Sequence, residues 1–265
     1  MAGKVFVFDL DDTLMDNLHD YAEPILDTCR WIVKTLGRKA PHVNVIIALE
    51  HEIDSRRVKE INPATGKPYL YSMERFPGSM VEVYREVAKR AGIATDPELE
   101  KEFYAIGMRA FDERRYYGNI VPSAKAVLNF LRSQGGSLWL LTKGDRRVQE
   151  KKLAALQSLG INHFTTSGWR VVDQKNFAEF KKIMVLVYCV CDELRESPPR
   201  NFYSVGNSYD SDIKPALAAG FKGILVPVET WDLIGKMDDV INEAGQNGVT
   251  VLNDLGDIIT RYEEL

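Results

Sequence analysis

The sequence predicts an α/β protein: a parallel sheet covered by helices on both faces, with a helical insert after the first strand. Three observations lead there. From about residue 118 onward, short β-branched and aromatic runs alternate with amphipathic segments. The stretch 17–117 carries mostly helical signals. Polar and acidic residues follow directly on several of the strand-like runs. Alternating strands and helices bury a sheet on both faces, and buried parallel strands read as continuous apolar runs.

The first strand is Lys4 to Phe8, which ends on Asp9. Ser137 to Thr142 follows the turn signal Gly135-Gly136, and further strands are expected at Gly168–Val172, Phe202–Gly206, Gly223–Pro227 and Val249–Leu252. Helical spacing is found at Ser123–Gln134, Arg146–Leu159, Asn176–Leu194 and Asp212–Ala219. In the insert, helices are expected at Tyr21–Leu36, Val43–Lys59, Ser79–Ala91 and Asp96–Arg114, with Pro97 at a first-turn position. Asn62 to Tyr69 is rich in breakers and reads as a loop, with a second break at Pro77-Gly78. The domain division that follows is a core of 1–16 with 118–265 and an insert of 17–117.

Composition narrows the function classes. A chain of 265 residues can bury a sizeable core, and its formal net charge of -4 argues against a general nucleic-acid binder. Cys29, Cys189 and Cys191 are an odd, sparse set that suits a reducing compartment. Cys189 and Cys191 lie in the apolar run 183–191 and are expected to be buried small apolar residues. The N-terminal segment is neither a signal peptide nor a membrane span, so a cytoplasmic protein with no membrane partner is expected.

Ligands of open parallel sheets bind beyond the carboxyl ends of the strands. At those ends the chain places Asp9 and Asp11, then Thr142, then Asn207, Ser208 and Asp212. Taken singly, each is compatible with a capped turn. Taken together, carboxylates two positions apart just past a strand can project toward one site. Their mutual repulsion is relieved by a cation, and Mg2+ fits an oxygen-rich site that also holds phosphate.

These segments resemble the haloacid dehalogenase-like hydrolases nearly end to end. Asp9-Leu10-Asp11-Asp12-Thr13-Leu14 is similar to the first motif of that family and Leu140-Leu141-Thr142-Lys143-Gly144-Asp145 to the second. Lys175 is the candidate third-motif lysine, and Gly206-Asn207-Ser208-Tyr209-Asp210-Ser211-Asp212 resembles the fourth motif. The resemblance implies a Rossmann-like three-layer α/β/α core with an α-helical cap that closes over the site. It also implies roles. Asp9 would attack phosphorus, and Asp11 would serve as general acid and base. Thr142, Lys175 and backbone N–H groups near Leu10 and Asp11 would hold the transferring oxygens. Mg2+ would bind Asp9, the carbonyl of Asp11 and the fourth motif. That motif commonly begins Gly-Asp but here reads Gly206-Asn207. Asn207 is taken as a direct ligand. Asp212 is either a ligand, direct or through water, or the residue that fixes Lys175.

The expected activity is therefore a Mg2+-dependent phosphomonoesterase for a small phosphorylated metabolite, working as a monomer or homodimer. A phosphomutase would use the same residues. A dehalogenase would need neither Mg2+ nor Asp11, and a non-catalytic metabolite sensor would not need both Asp9 and Asp11. Lys143, beside Thr142, and Arg75, before Phe76-Pro77-Gly78, are candidate substrate contacts. The other lysines near Lys175, namely Lys151, Lys152, Lys181 and Lys182, are expected to be mostly solvated helix charges. His19, His42, His51 and His163 show no ligand spacing and are taken as non-catalytic.

Overall fold

The computed structural model describes residues 3–164, 168–195, 197–230 and 233–265. The elements run in chain order as follows: β1 (Val5–Phe8), α1 (Leu18–Leu36), α2 (Val43–Arg57), β2 (Ile61–Asn62), β3 (Lys67–Pro68), α3 (Arg75–Arg90), α4 (Pro97–Met108) and α5 (Glu113–Tyr116). Then come α6 (Ala124–Ser133), β4 (Ser137–Lys143), α7 (Arg146–Ser158), β5 (Trp169–Val172), α8 (Phe177–Val190) and β6 (Phe202–Gly206). The last are α9 (Lys214–Ala218), β7 (Lys222–Leu225), α10 (Met237–Gln246), β8 (Thr250–Val251) and α11 (Asp257–Thr260). Two compact units result: Met1–Asp16 with Tyr116–Lys143 and Lys151–Leu265, and Asn17–Arg115 with Gly144–Glu150.

The first unit is a Rossmann-like α/β fold built on a six-stranded sheet in the order β5-β4-β1-β6-β7-β8. Every pairing in it is parallel. All six strand-like runs of the sequence are strands of this sheet. Alternation along each strand sends neighbouring side chains to opposite faces. Val5, Val7, Trp139 and Leu141 pack with Phe180, Ile183 and Val187 of α8 and with Ala216 of α9. Phe6 and Phe8 take the other face, where the Phe8 ring meets Phe164 edge to face at 6.4 Å. Each such fully buried side chain contributes about 1.5–3 kcal/mol. Chain order reverses at β1: β4 and β5 lie to one side, and β6, β7 and β8 to the other. A ligand crevice forms at such a reversal, outside the carboxyl ends of the strands.

Cys189 is exposed and Cys191 half-buried, contrary to the expectation that both are buried. The inward stripe of α8 is Phe180, Ile183 and Val187, spaced three and four apart. A run of nine apolar residues exceeds the width of that stripe, so Val185, Cys189 and Val190 turn outward. Among the described residues no helix is long and apolar enough to cross a membrane.

The second unit is mostly helical. Its core joins Ile25, Cys29 and Ile32 of α1, Ile46 and Ile53 of α2, and Met80, Val83 and Val87 of α3. Helix α3 starts at Arg75 and passes through Pro77-Gly78, which the sequence reading had as a break. Proline is tolerated in a first turn, where its missing N–H would have had no partner, and the Gly78 N–H closes the turn onto Glu74. Gly107 of α4 is required by close approach: a Cβ there would stand 2.5 Å from the Pro77 Cα. The expected helix to Arg114 instead ends at Met108, and the Asp112 side chain caps the next turn by accepting from the Arg114 N–H. The expected 62–69 loop is a small antiparallel hairpin, β2 with β3. Helices α10 and α11 had no counterpart in the sequence reading.

One buried carboxyl in this helical unit ties stability to pH. Burial, and then the Asp54 carboxylate, push the buried Glu50 up to about 8 from its ordinary value of 4.5. Between those pH values the unfolded chain loses a proton that the folded chain keeps, so stability falls as pH rises from 4.5 to about 8. Glu50→Gln removes this penalty. It should raise stability by on the order of 3 kcal/mol at pH 8, with a gain that shrinks toward acid pH. Thermal melts of both proteins at acid and alkaline pH measure it, and a gain independent of pH would contradict the assignment.

Candidate active site

Asp9 leaves the carboxyl end of β1 between two neighbours. Phe8 is opposite Leu140 on one side and Val205 on the other, so Asp9 emerges beside Leu141-Thr142 and Gly206-Asn207. Its own N–H continues the ladder, donating to the Val205 carbonyl at 2.8 Å. The chain then turns sharply. Leu14 and Met15 both donate to the Leu10 carbonyl, and Asp12 takes a left-handed conformation with φ 56. Aspartate tolerates that conformation as a single residue.

The Asp9 Oδ1 atom accepts from the Leu10 N–H at 2.7 Å and from the Lys175 ammonium at 2.5 Å. Lys175 also reaches Asp212 Oδ1 at 2.5 Å, so one buried cation joins two buried carboxylates. Burial, and then the nearby Asp212 charge, push Asp9 up to about 7, although Lys175 opposes the shift. Burial alone would lower the Lys175 pKa. The Asp212 and Asp9 carboxylates outweigh it and hold the ammonium above its ordinary value.

Asp212 is placed by a single wide helical turn, Tyr209–Ile213, directly after β6. Its Oδ2 accepts from the Ser208 N–H at 2.9 Å, and its carbonyl accepts from the Ser204 hydroxyl at 2.7 Å. Gly206 makes this possible, because a Cβ there would stand 2.4 Å from Asp212 Oδ2. Asn207 follows Gly206 and is buried. The other acid of this segment, Asp210, is exposed and pairs with Lys214.

Thr142, near the end of β4, is 0% exposed. Among the described residues its hydroxyl has no hydrogen-bond partner, nor does that of Thr13. A buried unpartnered hydroxyl costs about 1–3 kcal/mol and is a marked exception in folded proteins. Lys143, the last residue of β4, is half-buried. Asp9, Lys175, Ser204 and Asp212 share one small pocket with Leu141 and Phe180.

Asp11 meets a partner that the sequence reading passed over. Its Oδ1 lies 2.5 Å from the ammonium of Lys152. Lys152 is only 2% exposed and is not the solvated charge that was expected. The available signal was helical spacing: Lys152 stands three and four residues before the buried Ala155 and Leu156.

Arg75 belongs to the other unit. There its guanidinium pairs with Asp54 and lies over the Tyr71 ring. In the same unit Asp145 accepts from the Met73 N–H at 3.0 Å, and the Arg147 guanidinium, its main partner, lowers it to about 2. Among the described residues no group of three or more His, Cys, Asp or Glu is set to hold a metal ion.

Similarity to solved structures is extensive at low identity. A haloacid dehalogenase-like family hydrolase from Xanthomonas campestris has a TM-score of 0.59 at 21% identity, covering 93% of this chain and 94% of its own. A predicted phosphoglycolate phosphatase from Haemophilus somnus has a TM-score of 0.52 at 19% identity, covering 99% of each chain. A 2-haloacid dehalogenase from Pseudomonas syringae has a TM-score of 0.53 at 16% identity, also covering 99% of each. At these identities the likeness is one of fold, and it spans two chemistries. The comparison with curated proteins gave no match. The family model for haloacid dehalogenase-like hydrolases matches residues 4–220, more than half of the chain, and the protein is therefore an enzyme belonging to that hydrolase family.

Proposed function

We propose that this hydrolase is a phosphomonoesterase that takes the phosphoryl group of a small phosphorylated metabolite onto Asp9. The observation that carries the reading is the Asp9 carboxylate clasped by Leu10 N–H and Lys175 at the end of a strand next to the one bearing the unpartnered Thr142 hydroxyl. Donors arranged around a nucleophile suit the three equatorial oxygens of a transferring phosphoryl group.

Asp9 Oδ1 already accepts from both Leu10 and Lys175, so Oδ2 is the oxygen offered to phosphorus. The P–O ester bond breaks as the Asp9–phosphorus bond forms, and Asp11 gives its proton to the departing alcohol oxygen. Water then attacks the aspartyl-phosphate and Asp11 takes a proton from it. Phosphate leaves and the Asp9 carboxylate returns. Throughout, the Leu10 N–H keeps Asp9 Oδ1 in place, while the Thr142 hydroxyl and the third hydrogen of the Lys175 ammonium hold non-bridging oxygens.

The donor set is compatible with Mg2+, which needs only one or two carboxylates beside neutral oxygens and water. Asp9, the main-chain carbonyl of Asp11 and the side-chain oxygen of Asn207 would hold it. Asp212 is assigned to Lys175 instead, since its two oxygens already accept from Lys175 and the Ser208 N–H. Bound there, the cation would favour the ionised form of Asp9 and offset charge on the phosphoryl oxygens.

The test is phosphate release from a panel of phosphorylated metabolites with and without Mg2+, run beside halide release from a 2-haloacid. Mg2+-dependent phosphate release is expected; halide release without it would overturn the reading, and transfer to a second sugar would make the enzyme a mutase. Asn207→Ala should raise the Mg2+ concentration for half-maximal activity about 10-fold or more. An unchanged Mg2+ titration in that variant removes Asn207 from the metal site.

A further inference from the structure

We propose that Lys152 is a positioning residue that sets the Asp11 carboxylate for proton transfer, a role that rests on the phosphatase reading above. Lysine is almost never fully buried unless paired, and this one occupies the inward stripe of α7 together with Ala155 and Leu156. Packing alone would be served there by leucine or methionine, with no ammonium to desolvate. The ammonium instead sits 2.5 Å from Asp11 Oδ1 and 5.5 Å from the centre of the buried Tyr116 ring.

The site therefore uses two buried lysines for two carboxylates of one motif. Lys175 serves Asp9 together with Asp212, and Lys152 serves Asp11. This division keeps the nucleophile and the proton-transfer group on separate anchors. An aspartate on a turn can rotate about two side-chain bonds, whereas an ion pair at Oδ1 selects one arrangement and fixes where Oδ2 points. Proton transfer needs the acid within about 3 Å of the leaving oxygen. A displacement of about 1 Å can lower the rate roughly 100-fold.

The test compares wild type, Lys152→Met and Lys152→Arg on glycerol 3-phosphate and p-nitrophenyl phosphate. The value of kcat/KM covers only the steps through release of the alcohol. An alkoxide needs a proton to leave and p-nitrophenolate does not. The methionine variant should therefore lose about 10-fold or more in kcat/KM on the alkyl ester beyond its loss on the aryl ester. Lys152→Arg should recover part of that difference. Equal losses on the two esters would overturn the proposal. Lys152→Gln carries the same comparison if the methionine variant does not fold.

Crystal structures of wild type and variant decide the point without activity. Asp11 in an unchanged rotamer after loss of Lys152 refutes the positioning role, and a turned Asp11 supports it. Failure of the phosphatase reading is distinguishable, because wild type would then release no phosphate from either ester.

Discussion

Asp9→Asn is expected to lower kcat for phosphate release by roughly four to six orders of magnitude, the scale of loss when a covalent nucleophile is removed. The fold should survive, for a stated reason. Asp9, Asp212 and Lys175 are buried together, two carboxylates against one ammonium. Asparagine has the shape of aspartate, and its side-chain oxygen can still accept from Leu10 N–H and Lys175. The exchange also relieves a repulsion, because the Asp212 charge is one of the causes that push Asp9 upward. The melting temperature should be unchanged or slightly higher. A purified variant that keeps Mg2+-dependent phosphate release would refute Asp9 as the nucleophile.

Lys175→Met should fail in both respects. Its ammonium lies 2.5 Å from an oxygen of each carboxylate, and methionine fills similar space without the charge. Two buried carboxylates would then face one another without a counter-ion. Removing one partner of a buried ion pair costs about 3–5 kcal/mol, and here the group removed serves two. Phosphate release should fall to background, since the donor that holds Asp9 and the phosphoryl oxygens is gone. Lys175→Met combined with Asp212→Asn should recover much of the stability and none of the activity. Chemical denaturation of the single and double variants separates the two effects. If the single variant is as stable as wild type, the ion-pair account is wrong.

Most of the sheet was legible because its signals are local. Val5 to Phe8 is apolar at every position and is followed by an acid, Asp9, and the other five strands carry similar runs. Errors arose where local and tertiary demands part. Pro77-Gly78 reads as a breaker, yet in a first turn it costs no hydrogen bond. The run at 183–191 reads as buried, yet a helix packed on one side buries only a stripe of it.

The candidate residues divide along the same line. Asp9, Asp11 and Asn207 follow strands and Thr142 lies near the end of one, and a strand in a parallel sheet delivers its carboxyl end to a common edge whatever lies between the strands in sequence. Pattern alone was enough to select them. Which ammonium faces which carboxylate was settled only by the fold: Lys152 and Asp11 are 141 positions apart, Lys175 and Asp212 are 37 apart. Lys151 and Lys152 are chemically identical neighbours, and the rotation of α7 about its axis turns one outward and buries the other. That rotation is a property of packing, so no window of sequence contains it. The assignment of Asp212 to Lys175 likewise depends on Gly206, where the absence of a Cβ admits the carboxylate.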